Sequence, residues 1–120
     1  MIVAGFGFRA AATADSLRDA LARAGKDADA LATAADKADA PAFTDFARTL
    51  GLPVHAIAPD TLRAQHTLTA SAASRAARDT GSVAEAAALA AAGPGAHLLA
   101  PRAISGDRMA TCALAIGGTQ

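Results

Sequence analysis

The sequence contains neither tryptophan nor tyrosine, and four phenylalanines are its entire aromatic complement. Recognition of single-stranded nucleic acid on stacked aromatic platforms is therefore disfavoured from the start. A single cysteine, Cys112, leaves no internal disulfide possible. That suits a reducing compartment and sets a cytoplasmic location as the expectation. Neither charge is in excess: 11 lysines and arginines face 11 aspartates and glutamates. A basic footprint for nucleic acid and an acidic tail are both missing. No run approaches the ~18 strongly apolar residues of a membrane span, so neither membrane nor nucleic acid is expected as a partner. Met1-Ile2-Val3-Ala4-Gly5 also lacks the basic start of a signal peptide.

What the chain does have is alanine. Its 120 residues, expected to form one domain over 1–120, are 52% apolar, which excludes disorder as the default. With bulky hydrophobes scarce, stability must come partly from close backbone packing of small residues.

The pattern along the chain alternates between strands and helices. Ile2-Val3-Ala4 reads as a buried strand ended by a turn at Gly5-Phe6-Gly7. Thr13 is placed to cap a helix with Asp15 in its first turn. Leu17, Ala20, Leu21 and Ala24 give that helix one apolar face, Asp19 and Arg23 pair on another, and Gly25 stops it. Ala30 to Ala34 predicts a second strand. Pro41 opens a second helix with the stripe Phe43, Phe46, Ala47, Leu50, closed by Gly51. Val54 to Ile57 predicts a third strand. Asp60 is the expected cap of a short helix carrying Leu62, and Ser71 of another over 72–78, with Gln65 to Thr69 between them as a mobile loop. Ser82 and Glu85 form an S-x-x-E capping box for a helix to Ala92, ended by Gly93-Pro94-Gly95. His97 to Ala100 predicts a strand, Pro101 to Arg108 a turn region, Met109 to Ile116 a last strand, and Gly117 to Gln120 a loose tail. The order implies an α/β three-layer sandwich with a mostly parallel five-stranded sheet, the last strand antiparallel.

Three features bear on chemistry. Gly5-Phe6-Gly7-Phe8-Arg9-Ala10 matches the G-x-G-x-x-G/A string of dinucleotide folds, with Asp36 as a distant acid, although a tight strand-to-helix turn explains the glycines without a nucleotide. Arg9, Lys37 and Arg102 each follow a predicted strand, where ligands of open α/β sheets gather. The helix start at Gly81-Ser82-Val83 should join them, so that three cations and free N–H groups would make an anion site, although three unrelated surface cations fit the same spacing. His55, His66 and His97 show no zinc spacing, and no metal or other cofactor is expected. Cys112 reads as a core residue, Ser82 and Glu85 as a cap, and no catalytic residue can be named.

Gly5-Phe6-Gly7-Phe8-Arg9, Asp36-Lys37-Ala38-Asp39, Gly51-Leu52-Pro53 and above all Gly81-Ser82-Val83-Ala84-Glu85-Ala86-Ala87-Ala88-Leu89 resemble the CobE / CbiG C-terminal domain family of cobalamin (vitamin B12) biosynthesis. The resemblance spans nearly the whole chain in order. CbiG-type members carry Cys-Arg-Arg-Gly where this chain has Phe8-Arg9-Ala10-Ala11, so only Arg9 matches there. They also have further domains, and the chain looks like the stand-alone CobE-like form of the aerobic pathway. The resemblance implies a corrinoid or precorrin ligand, whose acetate and propionate groups suit an anion site of Gly5, Gly7, Arg9, Lys37, Gly81, Ser82, Val83 and Arg102. It implies a carrier or chaperone that exchanges its ligand with other cobalamin pathway enzymes, with a hydrolase acting on a precorrin lactone as the alternative.

Overall fold

A computed structural model describes residues 1–25, 27–68 and 82–117. Gly81, the expected helix over 72–78, Thr69 and the tail from residue 118 lie outside the described residues. The elements are strands β1 (Ile2–Phe8), β2 (Ala30–Ala34), β3 (Val54–Ile57), β4 (His97–Leu98), β5 (Ala103–Ile104) and β6 (Ala110–Ile116), with helices α1 (Ala14–Ala24), α2 (Pro41–Leu50), α3 (Pro59–Arg63) and α4 (Val83–Ala92). The sheet order is β3-β2-β1-β6-β4, with β5 also on β6. β1, β2 and β3 are parallel neighbours, and β6 is antiparallel to β1, β4 and β5. β6 alone therefore runs against the other described strands. The expected α/β sandwich with its antiparallel last strand is borne out, but the sheet has six strands rather than five, because β5 forms within the expected turn region.

Alternation along the strands sorts side chains onto two unlike faces. Ala4, Phe6, Leu31, Ala110, Cys112 and Leu114 face α1 and α2, meeting Leu17, Ala20, Leu21, Phe43, Phe46 and Ala47. Phe6 packs edge-on against Phe43 and Phe46, with ring centres 5.8 and 5.3 Å apart. The other face carries Val3, Ala30, Ala32, Ala34 and Ile57 beneath Leu62 of α3 and Ala86 and Ala87 of α4. Bulk fills one side of the sheet, and small residues let α4 descend onto the other.

Gly5 shows how close that approach is. A Cβ there would sit 2.1 Å from the Ala84 carbonyl oxygen and 2.5 Å from the Ala88 nitrogen. At Gly7 it would lie 3.3 Å from Val83 Cβ. The expected turn at Gly5-Phe6-Gly7 is corrected: β1 runs on to Phe8, and Gly5 within it admits a helix backbone.

Local signals set the helix ends. Thr13 and Ser16 close a capping box on α1, and Gly25 and Gly51 end α1 and α2 with positive φ. In α3 the cap is Ala58 rather than Asp60, which instead pairs with Arg63 inside the helix. The expected turn over Pro101 to Arg108 contains β5, and the strand at His97 is only two residues long. Leu50, expected in the α2 stripe, is 38% exposed.

Candidate functional site

Arg9 follows β1 directly and is exposed, its N–H donating to the Met109 carbonyl at 2.9 Å. Lys37 ends the short helical turn Ala35–Lys37 after β2, and its Nζ lies 5.0 Å from the centre of the Phe8 ring. Phe8 in turn stacks on Phe43, with centres 5.6 Å apart and planes 5° from parallel. A cation over an aromatic face is attracted by the ring quadrupole. Lys37 is thus held at the carboxyl end of β1, on the residue that precedes Arg9. Ser82 and Val83 start α4 above Gly7 on the same end of the sheet. Gly5 lies deeper, under the helix, where its contacts are with Ala84 and Ala88.

Arg102 is placed differently from the expectation, against the first turn of α4 and with no contact to Arg9 or Lys37 among the described residues. It precedes β5 instead of closing β4, and its backbone is fixed to the first turn of α4 by Glu85. Ser82 caps α4 as predicted, its Oγ accepting from the Glu85 N–H at 3.3 Å. The Glu85 side chain does something the spacing did not reveal. It is fully buried, at 0% exposure. Its Oε1 accepts from the Leu68 N–H at 2.7 Å and its Oε2 from the Arg102 N–H at 2.8 Å. The signal was available: Glu85 is the only charged residue in the run Val83–Ala92.

The dinucleotide geometry is not present. Gly5 and Gly7 are strand residues, and α1 starts only at Ala14, so no glycine turn delivers a helix N-terminus to a pyrophosphate. Asp36 is exposed in the turn after β2.

Among the described residues, two cavities of about 430 Å³ each open away from these side chains. One, at the amino end of the sheet, is lined by Ile2, Leu21, Asp27, Asp29, Leu50 and Leu52 among others. The other runs along α4, between Gln65, His66 and Leu68 on one wall and Gly93 to Leu98 on the other, over Leu89. None of Arg9, Lys37, Ser82, Val83 and Arg102 lines either. His66 and His97 share the α4 cavity, while His55 is exposed on β3. Among the described residues no cluster of three or more metal-ligating side chains occurs, and no helix is long and apolar enough to cross a membrane.

Cys112 is buried in the face beneath α1 and α2, and burial pushes its thiol well above the ordinary range, so it is held as the neutral thiol. Asp107 and Asp19 are displaced the other way. Hydrogen bonds from Ser105 Oγ, Ser16 Oγ and the Met109 N–H hold the Asp107 carboxyl below its usual range. The Gly106 N–H and Arg23 do the same for Asp19. These contacts pin the β5–β6 turn to α1, at the carboxyl end of β1, where Met109 accepts from the Arg9 N–H.

A family model described as "Cobalamin synthesis G C-terminus" matches residues 2–115. The crystal structure of CobE, a protein from the cobalamin (vitamin B12) biosynthetic pathway, superposes with a TM-score of 0.82 at 35% identity, covering 96% of this chain and 89% of that one. The cobalamin biosynthesis protein chiG from Agrobacterium tumefaciens str. C58 gives 0.76 at 36% identity, over 99% of this chain and 100% of that one. A cobalamin biosynthesis protein G homolog from Sulfolobus solfataricus gives 0.70 at 17% identity, over 95% of this chain and 36% of that one, a likeness of fold alone. No curated protein matches the sequence significantly. With the family match running from the first strand into the last, the chain belongs to the cobalamin synthesis G C-terminus family of cobalamin biosynthesis.

Proposed function

We propose that this protein binds a corrinoid or precorrin intermediate and carries it between enzymes of the aerobic cobalamin pathway. The observation that supports this most is Lys37 held on the Phe8 ring at the end of β1, the strand that Arg9 follows directly and over whose end α4 starts. Corrinoid precursors present several carboxylates, and fixed cations beside a helix N-terminus suit them. Gly7, Ser82, Val83 and Arg102 complete the proposed contact region, with Gly5 beneath it. Gly81 belongs to the same stretch of sequence but lies outside the described residues.

A carrier needs recognition and release without chemistry. That reading is favoured because the buried carboxylate of Glu85 is engaged by two backbone N–H groups and Cys112 is sequestered in the core. The second reading, hydrolysis of a precorrin lactone, would use Arg9 and Lys37 to stabilise charge developing on the ring oxygen.

The test is an absorbance titration with hydrogenobyrinic acid. The expected result is saturable, stoichiometric binding with the ligand released unchanged. Arg9→Ala and Lys37→Ala should each weaken binding by about tenfold, the worth of one hydrogen bond to a charged group, and leave the fold intact. Unchanged affinity in both variants would remove the proposed contacts. Conversion of a fresh precorrin in the same cuvette would make the protein an enzyme.

A further inference from the structure

We infer that Glu85 is a positioning residue, whose buried carboxylate ties the Leu68 and Arg102 segments to the first turn of α4, where the proposed ligand contacts Ser82, Val83 and Arg102 meet. This rests on the binding reading above. Leu68 and Arg102 are each 17 residues from Glu85, on opposite sides in sequence, and each gives its backbone N–H to a different oxygen of the same carboxylate. Leu68 belongs to one wall of the α4 cavity. Arg102 follows β4, which supplies the other wall. One side chain therefore holds both segments to the start of α4 and fixes the backbone of a proposed carboxylate-binding arginine.

The chemistry requires a carboxylate. Two converging N–H donors need two acceptor oxygens, and an ionised glutamate offers both. Its place in the first turn of α4 adds the favourable interaction of a negative charge with a helix N-terminus. A glutamine of the same size has one carbonyl oxygen, so its amide group must face one of the two donors and only one tie survives. A purely local capping role would leave both distant segments unaffected.

The experiment combines Glu85→Gln with hydrogen exchange and the hydrogenobyrinic acid titration. Glu85→Gln is expected to fold, to speed exchange at the Leu68 or Arg102 amide, and to weaken binding by about tenfold. Gly51→Ala, which strains the distant end of α2, controls for general destabilisation and should bind as the unmodified protein does. Leu68→Pro deletes one donor without touching the acid, and serves if Glu85→Gln does not fold. It too should weaken binding. Full affinity in a folded variant whose amide has been released overturns the inference. So does an equal loss in Gly51→Ala. Failure of the unmodified protein to bind overturns the binding reading itself, and this inference with it.

Discussion

At the scale of single residues, the two glycines Gly5 and Gly51 make opposite demands. Gly51 has φ of +69° with nothing within 4 Å of a prospective Cβ, so its requirement is conformational. Gly5 has a strand conformation, and its requirement is space, because helix backbone atoms already occupy the position of a Cβ. Gly51→Ala should cost about 1–2 kcal/mol, the penalty of a left-handed alanine. Gly5→Ala should cost about 3 kcal/mol or more, since overpacking here must move α4 off the sheet. Urea denaturation of both variants checks the order, and a Gly5→Ala protein as stable as Gly51→Ala would contradict the close approach. The same residue misled the sequence reading. A G-x-G after three apolar residues looks like a turn, and only the overlying alanine helix explains why the strand continues. Glu85 was misread for a related reason: three residues after Ser82, it matched a local capping pattern, while two of its side chain's partners lie 17 residues away, one in each direction.

Elements whose signals are local were legible. Thr13 before α1, Pro41 at the start of α2, Gly25 and Gly51 at their ends, and Ser82 before α4 all act where the sequence placed them. β5 was missed because two residues after Pro101 carry no period, and its pairing with β6 comes from the turn that follows. That turn is built by side chains. Ser105 Oγ donates to Asp107 at 2.6 Å, Ser16 of α1 donates to the same carboxyl at 2.6 Å, and the Gly106 N–H donates to Asp19 at 2.7 Å. Arg108 within it adopts φ of +61°, a left-handed conformation that this network helps hold. Both acids titrate below their unfolded values, so their contribution is complete above the ordinary carboxylate range and is lost as pH falls through the lowered folded values. Melting temperature should therefore fall on acidification below about pH 4, and fall less steeply in Asp19→Asn/Asp107→Asn. Parallel acid limbs in the two proteins would show that the turn is held by other means.

For the molecule as a whole, the candidate site was half visible in the sequence. Arg9, Lys37 and Ser82 could be assigned to one end of the sheet because α/β topology fixes where strand ends and helix starts meet. The Phe8 ring under Lys37 and the α4 cavity could not, since both depend on which side chains a fold brings together from distant segments. The binding reading makes a prediction at this scale. A ligand that binds only the folded chain stabilises it, by about 2.7 kcal/mol when its concentration is roughly a hundred times Kd. Hydrogenobyrinic acid should raise the melting temperature, and a nicotinamide dinucleotide should leave it unchanged. The reverse pattern would reinstate a nucleotide site in spite of the strand conformation of Gly5 and Gly7.

The position of β6 carries a different consequence. The strand made of residues 110–116 lies between β1 and the β4–β5 edge, and it pairs with residues 2–8 along the full length of both strands. During translation the first strand waits for its antiparallel neighbour until Ile116 has cleared the ribosome. Until then the Phe6 face lacks Ala110, Cys112 and Leu114 of its floor. Such long-range closure slows folding, and it makes this a domain that completes itself only after its last strand is made, with the nascent chain dependent on whatever shields Ile2–Phe8 in the meantime.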